Sequence, residues 1–234
     1  MNSVVALSPN IYRGGLNLPK GALGSLLGQF NPQWVIGHPT LQNHDTIGRQ
    51  LSDGLIGAAR VFSGERVAFV VADGSMNGTE KDDRTLSAAL EAATRTMSTL
   101  PESARPNLFV FAGPYGGYAG NAIQGKGSAL KMIFDETGFA RPRAVILLDG
   151  DLRNDMASWQ SVYKKTLDLH TRERPGEECF ITARYARHFV DASITRFVVG
   201  PFTTLLGAYV PGGISGDKRH TEGVCAKLLG EVER

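Results

Sequence analysis

Gly125-Lys126-Gly127-Ser128 opens a helical stretch that returns into Ala144-Val145-Ile146-Leu147-Leu148-Asp149-Gly150-Asp151. The reading of this unit decides the fold. Five consecutive aliphatic or small apolar residues, with no polar alternation, describe a strand buried on both faces, the pattern of a covered parallel sheet. The strand stops in two carboxylates one residue apart, and in sheets of this kind ligands bind beyond the carboxyl ends of the strands. Side chains at alternate positions of an extended backbone point the same way. Asp149 and Asp151 can therefore offer hard oxygen ligands jointly to a divalent cation bridging a diphosphate. A Gly-Lys-Gly turn at a helix N-terminus adds backbone donors, a positive dipole end and one ammonium.

An Asp-x-Asp triplet alone is uninformative, since it arises by chance in roughly one of every two chains of this size. Its weight comes from its place directly after a buried strand and downstream of Gly-Lys-Gly. The 234 residues, 42% of them hydrophobic, can bury one sizeable core. The expected organisation is an N-terminal extension over 1–30 and one domain over 31–234. A net charge of +2 without a basic block argues against nucleic acid as a partner. Cys179 and Cys225 lie far apart without metal spacing, which points to a reducing compartment. No apolar run is long enough for a transmembrane segment and the N-terminus lacks a basic start, so the expected location is cytoplasmic. The 28 glycines are nearly double the usual share, and many fall in segments that read as loops.

Strands alternate with helices along the chain. Residues 1–30 yield only a short helix at 22–29. Trp34-Val35-Ile36-Gly37 is a strand broken by His38-Pro39. A helix follows over 45–61, with Ile47, Leu51, Leu55, Ile56 and Ala59 on one face. Strands are expected at 67–72, 108–112 and 178–183, and helices at 83–100, 127–136, 156–170 and 191–206. The glycine-laden loop 113–127 is long enough to be functional, and its Tyr115 and Tyr118 either stack on a ligand or cover the sheet edge. His38 and His44 read as packing or loop residues. The order implies an open, mainly parallel α/β sheet flanked by helices.

Four ordered segments carry a resemblance. His38-Pro39-Thr40-Leu41-Gln42-Asn43-His44-Asp45-Thr46-Ile47-Gly48, Val70-Val71-Ala72-Asp73-Gly74-Ser75-Met76-Asn77-Gly78-Thr79, Gly125-Lys126-Gly127 and Asp149-Gly150-Asp151 resemble the successive motifs of nucleotide-sugar glycosyltransferases of the GT-A fold. A second stretch, Ile194-Thr195-Arg196-Phe197-Val198-Val199-Gly200-Pro201 with Gly213-Ile214-Ser215-Gly216-Asp217, is similar to the glucosyl-3-phosphoglycerate synthase and mannosylglycerate synthase branch. The resemblance implies a GT-A (Rossmann-like) domain that moves a hexose from a UDP- or GDP-sugar to a small, lipid or saccharide acceptor. The second stretch implies retention of configuration. Pro39, Thr40 and Asn43 would line the nucleotide pocket, Asp73 would accept from the base, and Lys126 would contact the diphosphate. Asp149 and Gly150 would face the ribose or metal, and Asp151 would hold Mg or Mn. Asp217, behind a glycine-rich approach, would be the catalytic carboxylate and His220 a further metal ligand. The N-terminal extension could pack on a second copy to give a homo-oligomer.

Two other readings follow from the residues. The first loop has Gln42-Asn43 and the second Ala72 where the family carries acidic residues, which would suit a catalytically silent GT-A domain that binds a partner. Gly120-Asn121-Ala122-Ile123-Gln124-Gly125-Lys126 approaches the P-loop of an NTPase, with Gly127 in place of the required Ser or Thr.

Overall fold

The structure, a computed structural model, describes residues 4–76, 82–120, 125–153, 155–182 and 218–221. In chain order these form β1 (Val4–Ser8), β2 (Ile11–Gly14), α1 (Ala22–Phe30), β3 (Trp34–Thr40), α2 (Ile47–Val61), β4 (Val67–Asp73) and α3 (Arg84–Thr99). There follow β5 (Leu108–Pro114), α4 (Lys126–Thr137), β6 (Ala144–Leu147), α5 (Met156–Glu173), β7 (Phe180–Thr182) and β8 (Lys218–Thr221). The expected helix at 191–206 lies outside the described residues.

All eight strands belong to one sheet in the order β1-β2-β5-β4-β3-β6-β8-β7. The five from β2 to β6 run parallel, with β1 and β8 antiparallel to their neighbours at either side. The buried runs owe their uniform apolarity to helices on both faces. Trp34, Ile36, Val67, Phe69, Val71, Val110, Ala112 and Ile146 pack with Leu51 and Leu55 of α2, Leu86 of α3 and Tyr163 of α5. Their alternate neighbours Val35, Ala68, Val70, Phe109, Phe111, Val145 and Leu147 pack with Leu23 and Leu27 of α1 and Met132 and Ile133 of α4. A strand sends successive side chains to opposite faces, so covering both faces requires apolar residues at every position.

The chain steps outward from β3 to β4 to β5, then α4 carries it back to β6 on the far side of β3. Reversal of strand order opens a crevice at the carboxyl edge, here between β3 and β6. That is where both sequence-predicted loops emerge.

Residues 1–30 hold more than the helix read from sequence. β2 pairs parallel with β5, in the register Ile11↔Val110 and Arg13↔Ala112, so this segment extends the main sheet. The hairpin to β1 turns at Asn10, in the left-handed region with φ 63. α1 has no side-chain cap of its own. Glu136, fully buried on α4, instead accepts hydrogen bonds from Gly21 N at 2.7 Å and Gly24 N at 2.5 Å, and from the Tyr118 hydroxyl at 2.7 Å. Burial, Glu136 and Asp135 together push the Tyr118 hydroxyl well above its ordinary pKa. Replacing Glu136 by Gln keeps the shape but sets an amide hydrogen against one of three donors, and should lower unfolding stability by about 2 kcal/mol. Urea unfolding measures it, and an unchanged midpoint would remove the carboxylate as the anchor of α1.

Candidate functional site

β3, β4 and β6 deliver their ends to one edge. In register Thr40 lies beside Asp73, and Gly37 beside Leu147, so the loops after β3 and β6 leave side by side. A cleft of about 220 Å³ opens between them. Pro39, Thr40 and Asn43 line one wall, Gly125 and Lys126 the mouth of α4, and Asp149, Gly150 and Asp151 the other wall. Seven of the sequence-predicted site residues thus meet in one place, from three separate parts of the chain.

Lys126 is already paired there, its Nζ with Asp149 Oδ1 across the cleft. Asp151 stands exposed at the rim. Gly150 lies so close to the β3 loop that a Cβ would sit 2.6 Å from Thr40 Cγ2 and 3.0 Å from Asn43 Oδ1. Any side chain there would push the carboxylate loop outward.

Asp73 does not line the cleft but lies fully buried behind it. Its Oδ1 accepts from Thr40 Oγ1 at 2.9 Å and Ser75 Oγ at 3.0 Å, and its Oδ2 accepts from Ser75 N at 3.1 Å. Burial raises its pKa, opposed by the Thr40 and Ser75 hydrogen bonds. Gln42 N donates to Ser75 Oγ at 2.7 Å, so Asp73 and Ser75 stitch the β3 and β4 loops together. Tyr115 and Tyr118 are both buried, and Tyr115 also lines the cleft. The Tyr115 hydroxyl accepts from Gly125 N at 3.0 Å and pins the start of α4.

Asp217 lies outside the described residues. His220 falls on β8 in register with Val145 of β6, four residues before Asp149. Four residues of strand rise about 13 Å, so this pairing does not bring the His220 position to the Asp149–Asp151 edge. Among the described residues no cluster of three or more His, Cys, Asp and Glu forms. Two carboxylates nevertheless suit Mg2+, which is commonly held by one or two carboxylates plus substrate phosphates and waters.

Sequence reading passed over Thr46 and Gln50. Thr46 Oγ1 donates to Gly150 O at 2.6 Å, and Gln50 Nε2 donates to Asp149 O at 3.0 Å and Leu152 O at 2.8 Å. The available signal was a glutamine falling within the apolar stripe of α2, between Ile47 and Leu51.

His38 proves to be a packing residue. It is fully buried and stacks on Phe69 at 6.4 Å. Burial lowers its pKa from 6.5 to about 4, against the raising effects of its hydrogen bond to the Leu148 backbone and of Asp149. Between those two values the unfolded chain binds a proton that the folded chain refuses. Stability should therefore fall by about 3 kcal/mol as pH drops from about 6.5 to about 4, and stop falling from this source below that. In His38→Leu that part of the slope should vanish from unfolding measured across the window; equal slopes in both proteins would show that His38 does not titrate this way.

The chain has the GT-A fold. No family model and no curated protein matches the sequence. Solved structures do. Glucosyl-3-phosphoglycerate synthase from Mycobacterium tuberculosis in complex with Mn2+, UDP and phosphoglyceric acid is similar at a TM-score of 0.56 and 16% identity, over 86% of this chain and 60% of that one. The same enzyme with Mg2+ and UDP gives 0.55 at 16% identity, over 86% and 60%. With Mn2+, UDP-glucose and glycerol 3-phosphate it gives 0.55 at 17% identity, over 87% and 61%. The chain thus spans about 60% of the length of these structures. Likeness at this identity establishes the fold. No helix among the described residues is long and apolar enough to cross a membrane.

Proposed function

We propose that this chain is a metal-assisted glycosyltransferase that takes a hexose from a UDP-sugar. One observation carries the reading: residues 39–43, 125–126 and 149–151 converge on a single cleft at the switch point of the sheet, with an ammonium set against a pair of carboxylates. Structures of similar fold hold UDP with Mn2+ or Mg2+, which supports UDP as the nucleotide and either cation as the cofactor.

Each residue then has a task. Pro39, Thr40 and Asn43 shape the nucleotide wall, and the Gly150 backbone allows close approach. Asp151, with Asp149, would hold Mg2+ or Mn2+. That cation supplies neutralisation of the diphosphate leaving group. Lys126 moves from Asp149 to the diphosphate, at the positive end of α4. Asp217 is proposed as the carboxylate that steadies the reacting sugar.

Transfer and binding are tested separately. Incubating the protein with UDP-glucose and Mn2+ should release UDP, faster when phosphorylated three-carbon acceptors are supplied. Mn2+-dependent UDP binding without any UDP release, across acceptors and UDP-sugars, would instead identify a silent binding domain. Preference for ATP with hydrolysis would favour an NTPase.

A further inference from the structure

The loop bearing both carboxylates is held largely by side chains at the start of α2. Gln50, almost fully buried, gives both amide hydrogens to it, at 3.0 Å to the Asp149 carbonyl and 2.8 Å to the Leu152 carbonyl. Thr46 donates to the intervening Gly150 carbonyl at 2.6 Å. Two side chains at the start of α2, far in sequence from the loop, thus fix three carbonyls between 149 and 152.

A local cost at Gln50 shows that packing alone does not explain this. Thr46 precedes α2 in helical backbone geometry, φ -117 and ψ -37, where its hydroxyl makes no capping bond. Its hydroxyl hydrogen instead crosses to Gly150 O at 2.6 Å, on a loop 104 residues away. The Gln50 Oε1 is buried with no hydrogen-bond partner among the described residues. An unpaired buried acceptor costs about 1–3 kcal/mol. An aliphatic residue would fill the same site on α2 more cheaply, and broken local rules of this kind concentrate at functional sites.

We propose that Thr46 and Gln50 are positioning residues that lock the Asp149–Leu152 backbone, so that the two carboxylates stand ready for a divalent cation and its diphosphate. This rests on the reading that the cleft binds UDP with a cation. Groups that orient metal ligands without touching the metal typically change metal affinity or activity by roughly 10–100-fold when removed.

The test is calorimetric UDP binding, in Mn2+ and in EDTA, for wild type, Gln50→Leu, Thr46→Val and Thr46→Ser, with unliganded unfolding measured for each. Gln50→Leu and Thr46→Val should weaken UDP binding in Mn2+ by roughly 10–100-fold and leave the weak binding in EDTA unchanged. Thr46→Ser, which keeps the hydroxyl, should bind as wild type does. A merely structural role would lower the unfolding midpoint and leave the ratio of Mn2+ to EDTA affinities at the wild-type value, and that result overturns the proposal. If Gln50→Leu does not fold, the valine and serine pair at position 46 decides. Absence of Mn2+-dependent UDP binding in wild type overturns the reading of the cleft, and this proposal falls with it.

Discussion

Asp151→Ala is expected to abolish the Mn2+-dependent part of UDP binding while leaving the unliganded protein as stable as before. The carboxylate is exposed at the rim of the cleft, past the end of β6, and contributes nothing to the core. Its removal leaves Asp149 as the one carboxylate among the residues lining the cleft, and Asp149 is engaged by Lys126. Losing one charged partner of a charged site costs about 2–5 kcal/mol. At about 4 kcal/mol the loss approaches a thousandfold in affinity. Calorimetry with UDP and Mn2+ measures it, beside a denaturant titration without ligand. Normal Mn2+-dependent binding in the variant would remove Asp151 from the site.

Lys126→Ala should produce two effects of opposite sign. The lysine faces Asp149, so in the absence of nucleotide it competes with any cation for that carboxylate. The pair is part-exposed and worth about 1 kcal/mol, so its loss should tighten nucleotide-free Mn2+ binding roughly fivefold. UDP, in contrast, loses its ammonium partner and should bind about 4 kcal/mol more weakly. Mn2+ titration monitored by electron paramagnetic resonance, followed by UDP titration, separates the two. Weakening of both would mean that Lys126 helps to assemble the cation site rather than competing for it.

Much of the fold was legible because burial on both faces leaves a plain trace. Val67–Asp73, Leu108–Pro114 and Ala144–Leu147 are uniformly apolar runs ended by glycine or acidic residues, and each is a strand. β1 and β2 were not legible. They are short and lie toward one side of the sheet, where β1 is largely exposed and imposes no apolar pattern. Their signal was the turn at Pro9-Asn10 between β-branched residues. At the site, backbone-defined features were readable: Gly-Lys-Gly at the start of α4, and Asp149-Gly150-Asp151 after β6. Side-chain partnerships were not. The sequence does not show that Lys126 would meet Asp149, nor that Asp73 would turn inward to Thr40 and Ser75. Thr46 and Gln50 escaped notice because their partners are backbone carbonyls, which carry no residue signature.

The central claim is that the cleft at the β3–β6 switch point holds a nucleoside diphosphate through a divalent cation. Thermal unfolding of the wild-type protein with UDP, in Mn2+ and in EDTA, tests it most directly. At a UDP concentration 100 times its dissociation constant in Mn2+, stability should rise by about 2.7 kcal/mol, with little of that rise left in EDTA. Equal stabilisation in Mn2+ and EDTA, or none in either, would contradict it.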